Sequence, residues 1–359
     1  MKRVILNVVK NLKSMSGCTQ ILRFAQDDTS FMLRVAWLTL CISLSLQSGA
    51  QTPFRVMFWN VENLFDTQDD PQKNDNEFLP DAARHWTYPR YRDKLKKIAQ
   101  TIVASGDECV PDLVGLCEVE NDSCLDDLTR RSPLHEAGYR YVMTHSPDRR
   151  GIDVALLYQR STFRLLHHQS IRVSKGAVKR STPTRDILHV AGKLQSGDTL
   201  DVMVCHLPSR SGGKARTEPF RMVVADIIAR TADSLVQVRQ HPYLIVMGDF
   251  NDYPTDKSLK RLCSGNGLQN LMKGKKGGTY RYRGEWGILD QFIVSGSLLK
   301  KKSHIRTSKA KAHILRHPFL LEEDDKFGGE KPFRTFNGMK YQGGFSDHLP
   351  ISLDLTIRD

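Results

Sequence analysis

From residue 54 onward, short apolar runs alternate with segments whose apolar residues recur at helical spacing. FRVMFWNV (54–61), DLVGLCEV (112–119), DVALLY (153–158), DILHVAGKL (186–194), LDVMVCHL (200–207), YLIVMGDF (243–250), LDQFIVS (289–295) and LPISLDL (349–355) read as strands. Each is brief, rich in β-branched or aromatic residues and bounded by turn formers. Residues 91–104 and 219–238 carry the three-to-four-residue period of amphipathic helices. Several of the strands are apolar almost continuously, which is expected where both faces of a sheet are covered. The pattern predicts an α/β class protein with layered sheets and outer helices. A length of 359 residues allows one large domain or two ordinary ones. No linker or repeat interrupts the pattern, so one domain is expected over 52–359.

The informative positions are the strand ends. MFWN stops on Asn60 with Glu62 two residues on, GLCE stops on Glu118 and MVCH on His206. IVMGDFN stops on Asp249 and Asn251, GILD places Asp290 at a strand start, and SDH places Asp347 and His348 just before the last strand. Strand ends on one edge of a layered sheet converge, and loops held there by a rigid frame are where functional groups sit. Singly, each residue also reads as an ordinary turn or pairing residue, since Asp and Asn bond their own backbone. Together they supply two or three carboxylates with amide oxygens, the hard oxygen set that suits Mg²⁺, Mn²⁺ or Ca²⁺ better than zinc. Two histidines add proton transfer near neutral pH. A metal to neutralise phosphate oxygens, an acid to orient water and an imidazole by the phosphorus make a phosphoester hydrolase.

The ordered set WNVEN, LCEVEN, HLPSR, GDFND, ILDQF and SDHLP resembles the endonuclease/exonuclease/phosphatase superfamily. That superfamily includes pancreatic-type deoxyribonuclease, apurinic endonucleases, sphingomyelinases and inositol polyphosphate phosphatases. The match spans essentially all of 52–359 and implies a four-layer α/β/β/α sandwich of two packed mixed β-sheets with outer helices. By position it makes Glu118 the principal metal ligand, helped by Asn60, Glu62 and, near or through water, Asp347. Asp249 and Asn251 resemble the pair that orients the attacking water and the phosphate. His348, steadied by Asp290, resembles the imidazole facing the scissile phosphate. His206 matches the histidine of the deoxyribonuclease-like branch, and Arg185 the arginine that branch aims at phosphate. The implied cofactor is a divalent metal, Mg²⁺ first, with Mn²⁺ or Ca²⁺ as alternatives; the number of metals and the identity of the general base stay open.

The N-terminus changes how charge and cysteines are counted. MLRVAWLTLCISLSLQSGA (32–50) has the layout of a secretory signal: Arg34, an apolar stretch over 35–46, then small residues before Gln51. The stretch is shorter than the roughly 20 residues of a membrane span. Residues 1–31 precede a signal that ought to come first, so Met32 is expected to be the start and the upstream segment a start-site artefact. The expected product is an exported bacterial-type protein, periplasmic or secreted, cleaved near Ala50 and acting as a monomer without stable membrane insertion. Residues 1–50 hold six Lys/Arg and two Asp/Glu, so the remainder carries +9 against +13 for the whole chain. A basic balance favours anionic partners without choosing among them. Cys109, Cys117, Cys124, Cys205 and Cys263 remain, in no metal-like spacing, with Cys109 and Cys124 the one candidate bridge.

Two further segments bear on substrate. KGKKGGTYRYRGEW (273–286) interleaves Lys, Arg and aromatics ahead of Asp290, as backbone contact plus base stacking requires, or as a solvated hairpin also would. Residues 322–344 read as a long polar and aromatic loop whose Phe327, Phe333, Phe336 and Tyr341 either wall the substrate or pack the loop onto the body. In RRGIDVALLY, Asp153 is a candidate to orient His206. The expected reaction is hydrolysis of a nucleic-acid phosphodiester, with an inositol-phosphate, nucleotide or lipid phosphatase as the alternative and a non-catalytic binding module as the rival from another class.

Overall fold

A computed structural model describes residues 51–358 apart from 107, 174–182 and 266. The segment 1–50, with the expected start at Met32 and export signal over 32–50, lies outside the described residues. The chain lays down β1 (Gln51–Leu64), helix α1 (Tyr88–Ala104), β2 (Leu113–Val119), helix α2 (Asp122–Arg130), β3 (Arg140–Met143) and β4 (Asp153–Tyr158). Next come β5 (Phe163–Ile171), β6 (Ile187–Leu194), β7 (Thr199–His206), helix α3 (Lys214–Val238), β8 (Tyr243–Asp249), helix α4 (Lys257–Leu262) and β9 (Leu268–Asn270). A hairpin of β10 (Tyr280–Tyr282) and β11 (Glu285–Gly287) precedes β12 (Asp290–Ser295), β13 (Ile305–Arg306) and β14 (Ala312–Ile314). Two small hairpins follow, β15 (Leu321–Glu323) with β16 (Glu330–Pro332) and β17 (Phe336–Asn337) with β18 (Lys340–Tyr341), before the closing strand β19 (Ile351–Arg358).

The first sheet runs β13-β19-β1-β2-β4-β3, with β14 also on β19; the second runs β5-β6-β7-β8-β12-β9. Each is mixed, with one parallel pair near its centre, β1 with β2 and β7 with β8. Period-two alternation in the sequence divides the residues among three apolar slabs. In β1, Phe54, Val56 and Phe58 face the slab between the sheets, where β7 contributes Leu200, Val202 and Val204 and β8 contributes Tyr243, Ile245 and Met247. Met57, Trp59 and Val61 face outward under Leu95, Ile98 and Ile102 of α1 and Leu125 and Leu128 of α2. On the far side Met203, Cys205, Leu244 and Val246 meet Val224, Ala225, Ile228 and Ala232 of α3 and Leu259 and Leu262 of α4. The result is the four-layer α/β/β/α sandwich. Gly115 marks a close approach of the sheets, since a Cβ there would fall 2.6 Å from Met247 Cε and 3.1 Å from Phe58 Cδ2.

Elements with strong apolar periods appear where the pattern predicts them; the differences have local causes. Helix α3 starts at Lys214, before Pro219, and carries that proline inside it rather than at its first turn. Strand β5 escapes the pattern because it is an edge strand whose residues from Leu165 on are mostly exposed, so no alternation marks it. The segment 322–344 is not one long loop: its two hairpins are pinned by Phe336, which is buried among Phe78, Trp86 and Tyr341. Phe333 packs against Phe345, so these aromatics hold the segment to the body, while Phe327 stays exposed.

Candidate active site at the joined ends of the two sheets

The parallel pairs β1–β2 and β7–β8 end at the same edge, and their last residues meet across the inter-sheet slab. Two strand pairs of the first sheet break register there, β1–β2 between Asn60 and Leu64 and β2–β4 between Cys117 and Val119. Glu62, Asn63 and Glu118 take left-handed backbone at φ 51°, 56° and 62°, and Asn251 does so at 49° in the second sheet's loop. Such conformations cost a side-chain-bearing residue of order 1–3 kcal/mol and persist where the surroundings hold them. Here the holding bonds are visible: Asn63 N donates to Glu118 Oε2 at 3.0 Å, and Asn251 N donates to Asp249 Oδ1 at 2.8 Å.

Asn60 joins the sheets. Its Oδ1 accepts from Glu62 N (2.9 Å) and its Nδ2 donates to Asp249 Oδ2 (3.2 Å). Asn251 Nδ2 donates to Leu207 O (3.0 Å). His206 Nε2 lies 3.5 Å from Asp249 Oδ2 and 4.0 Å from Glu118 Oε1, and its buried Nδ1 has no partner. His348 Nδ1 is bonded to Asp290 Oδ2 at 2.8 Å while its Nε2 faces Asp249 Oδ2 at 3.8 Å. Trp59 Nε1 holds the His348 carbonyl (2.8 Å), Ser346 Oγ donates to Asn60 O (2.6 Å), and the Tyr280 ring lies 4.9 Å from the His348 ring.

The two imidazoles are pushed in opposite directions. Burial, then Arg185, Arg150 and His348, holds His206 well below the ordinary histidine range, so it is neutral. Burial also opposes charge on His348, but Asp290 and Asp249 outweigh it and hold His348 well above that range, so it is protonated. Burial raises Asp249 to about 7, against the opposing pull of His348 and with a further push from Asp290. A titratable pair driven apart by its surroundings is the signature of divided acid and base roles.

Glu62 and Asp347 form a second half of the site. Glu62 accepts from Thr335 N (2.6 Å), Arg334 Nη2 lies 3.4 Å from Glu62 Oε1, and the same nitrogen donates to Asp347 Oδ2 at 3.0 Å. Beneath them Lys94 is fully buried, its Nζ donating to Thr335 Oγ1 and Phe345 O at 2.6 Å each. Burial lowers Lys94 to about 8, against Glu62, Asp347 and Glu118, which pull it up. Burial and Asp347 raise Glu62 to about 7, opposed by Lys94 and Arg334.

The expected residues Asn60, Glu118, His206, Asp249, Asn251, Asp290 and His348 thus fall within one contact network; Glu62 joins it through its N–H to Asn60 Oδ1, and Asp347 joins Glu62 through Arg334. Arg185 stands behind it: Nη2 donates to Leu207 O (2.9 Å) and Nη1 lies 3.3 Å from Asp148 Oδ2. Asp153 does not orient His206; its carboxylate accepts from Thr144 Oγ1 and Ser146 N instead. The Cys109–Cys124 bridge is also absent: Cys124 is buried under the first sheet, Cys109 is exposed, and both thiols are free. Lys94, Arg150 and Arg334 went unread in the sequence. Lys94 carried a signal, because with Tyr91, Leu95 and Ile98 it occupies the buried stripe of α1. Arg150, half-exposed, donates to Asn63 Oδ1 (2.6 Å) and reaches 3.9 Å from Glu118 Oε2.

Glu118 suits a hard divalent cation. It is partly exposed, Oε2 takes one backbone bond and lies 3.9 Å from Arg150 Nη2, and among the described residues Oε1 faces His206 Nε2 at 4.0 Å. Asp249, Asp290 and His348 also bring atoms within 4.8 Å of one another. That trio is better read as a proton relay, because a His348 that is protonated and bonded to Asp290 repels a metal. Carboxylate and amide oxygens of Glu118 and Asn60 could hold a divalent cation.

The fold and part of the sequence are shared with known proteins. Nocturnin of Xenopus laevis is 29% identical over 234 residues, 62% of this chain and 54% of that protein, so the chain spans about half the length of that relative. The fold is shared with the mannosyl-6-phosphatase of Bacteroides thetaiotaomicron VPI-5482 (TM-score 0.57, 16% identity, 84% of this chain and 99% of that one). It is shared too with D. rerio TDP2 complexed with single strand DNA product (TM-score 0.53, 14% identity, 85% and 99%). The profile of the Endonuclease/Exonuclease/phosphatase family matches residues 55–357, and the chain belongs to that family of metal-dependent phosphoester hydrolases.

Proposed function

We propose that the chain cleaves phosphodiesters of nucleic acid with a Mg²⁺-type ion, in the manner of an endonuclease. The observation that carries this reading is the β10–β11 hairpin. Its Tyr280 lies against His348, Tyr282 and Arg283 on the same hairpin are exposed, and the exposed Lys273 and Lys276 precede it in the chain. A basic and aromatic track leading to the reacting imidazole is what backbone contact and base stacking require. Part of the cluster serves the fold instead: Arg281 donates to Gly284 O and Gly328 O, and Trp286 packs under Arg316.

In this reading Glu118 and Asn60, with Asp347 at greater distance, would hold the cation, which neutralises charge on the phosphate oxygens. Asp249, raised toward neutrality and steadied by Asn60 and Asn251, takes the proton of the attacking water as its oxygen bonds phosphorus. His348 presents its Nε2 proton to the phosphate side and delivers it to the ester oxygen as the P–O bond breaks, while Asp290 stabilises the imidazolium. Neutral His206 lies between Glu118 and Asp249, with its Nε2 toward both carboxylates, and adds no competing charge. Export remains part of the reading on the strength of the apolar stretch over 35–46.

A phosphomonoesterase is the second reading, favoured by Arg150 and Arg334, cations flanking Glu118 and Asp347 that suit a terminal phosphate. A Mg²⁺-dependent screen on plasmid DNA, single-stranded DNA, RNA, inositol phosphates, sugar phosphates, nucleotides and sphingomyelin separates the two. Nicking of nucleic acid, with binding that weakens steeply as salt rises, is expected. Rapid phosphate release from a small monoester with a flat salt response and intact nucleic acid would reverse the choice.

A further inference from the structure

We infer that Arg221 and Asp252 are positioning residues for the hydrolysis: buried away from the substrate, they clamp the turn that carries Asn251 and, through it, Asp249. The inference rests on the reading of Asp249 and Asn251 as the groups that orient water and phosphate, whichever ester is cleaved. Arg221 belongs to the buried stripe of α3 and is 0% exposed, and Asp252, one residue beyond Asn251, is 1% exposed. Any effect they have on the reaction therefore passes through the turn they hold.

Their contacts converge on that turn from three segments of chain. Arg221 Nε faces Asp252 Oδ2 at 2.9 Å as a buried ion pair. Its Nη1 donates to Thr217 Oγ1 (2.7 Å) and to Pro208 O and Ser209 O (3.4 Å each), and its Nη2 to Lys214 O (3.2 Å). One guanidinium thus ties the first turns of α3 and the loop after β7 to the turn after β8. Asp252 is held from its other sides, with Ser258 Oγ donating to Oδ2 (2.6 Å) and Gln291 Nε2 to its carbonyl (3.3 Å). Arg210, in the loop after β7, reaches Asp252 Oδ1 with Nη2 (3.3 Å), donates Nε to Asn251 O (2.6 Å) and stacks 4.1 Å over the Tyr253 ring. Asn251 N donates to Asp249 Oδ1 (2.8 Å), so the backbone of Asn251 is gripped at both ends.

A buried ion pair adds little net stability over well-packed apolar residues of similar volume. What it supplies here is direction, because the planar guanidinium fork fixes its acceptors at set angles. Asn251 sits at φ 49°, a conformation that persists where the surroundings over-determine it. Without the clamp the turn relaxes toward ordinary backbone. That draws Asn251 Nδ2 from Leu207 O and Asn251 N from Asp249, leaving the Asp249 carboxylate to turn about its bond to Asn60 Nδ2.

The double variant Arg221→Met, Asp252→Leu tests this, since it removes both charges together and leaves no unpaired ion buried. On the ester that the wild type cleaves fastest, and well below the melting temperature, kcat should fall about 10- to 10²-fold, the range for a displacement of about 1 Å. KM should change by less than about twofold, because the clamp does not touch substrate. Wild-type kcat in the folded double variant, or a loss confined to KM, would overturn the inference. Should the double variant fail to fold, Arg221→Lys decides by the same two measures, since it keeps a cation beside Asp252 but not the fork. Asp249→Asn is the control for the site itself. If it retains full activity the site reading fails, whereas an inactive Asp249→Asn beside fully active clamp variants refutes the clamp alone.

Discussion

Replacing Asp290 by Asn keeps the shape of the His348 partner and removes only its charge. The Nδ1–Oδ2 contact is 2.8 Å and both groups are buried, so the gross attraction at an effective dielectric of 20 is about 6 kcal/mol. Part of this offsets desolvation, and losing one member of such a pair costs about 3–5 kcal/mol. Because the folded state holds His348 above its unfolded value, the stabilisation is complete below about pH 6.5 and is lost as pH rises through the folded value. The Asp290→Asn penalty should therefore be full at pH 6 and smaller at an alkaline pH above the folded His348 value. Without Asp290 the imidazole deprotonates earlier, so the alkaline limb of kcat/KM should move to lower pH. At pH 8 the rate should fall about 10²- to 10⁴-fold, the range for losing a positioned acid. Urea unfolding at both pH values and a pH–rate profile on a soluble phosphodiester measure the two effects. An unmoved alkaline limb together with a pH-independent stability loss would refute the protonated-His348 assignment.

Glu118→Gln should reduce divalent-dependent hydrolysis by at least about 10²-fold, as loss of a principal electrostatic stabiliser does, with folding unchanged by circular dichroism; chelation of the wild type should do the same reversibly. Lys94→Met leaves Thr335 Oγ1 and Phe345 O without their donor, at about 1–3 kcal/mol each. Since Lys94 is held down to about 8, wild-type stability should also climb between pH 8 and about 10.4, a slope that calorimetry should find missing in the variant. Gly115→Val would push a side chain into Met247 and Phe58 and should cost about 1–3 kcal/mol, read as a lower melting temperature.

The sequence revealed most where one physical signal dominated. Strands such as Asp153–Tyr158 are buried on both faces and announce themselves as unbroken apolar runs. Polar residues ending such runs stood out against them, which is why Asn60, Glu118, His206 and Asp249 were legible. Residues whose role depends on distant chain were not. Arg334 bridges Glu62 and Asp347 only because two short hairpins fold back over β1, and no local period encodes that return. Arg281 looked like part of a nucleic-acid track, yet its guanidinium is largely spent on carbonyls some 47 residues away. Lys94 was hidden differently: a lysine in an otherwise basic helix draws no notice until its place on the apolar stripe is counted.

The left-handed residues at the site carry a consequence for how this protein can change. Glu62, Asn63, Glu118 and Asn251 sit where glycine would be the most comfortable occupant of the backbone. Any search that rewards heat resistance alone, in the laboratory or over generations, will be drawn toward glycine at those four positions and will dismantle the chemistry as it succeeds. Robustness and turnover select opposing residues at the same addresses, so a hardier form of this protein that still works must find its gains in the three apolar slabs and the outer helices.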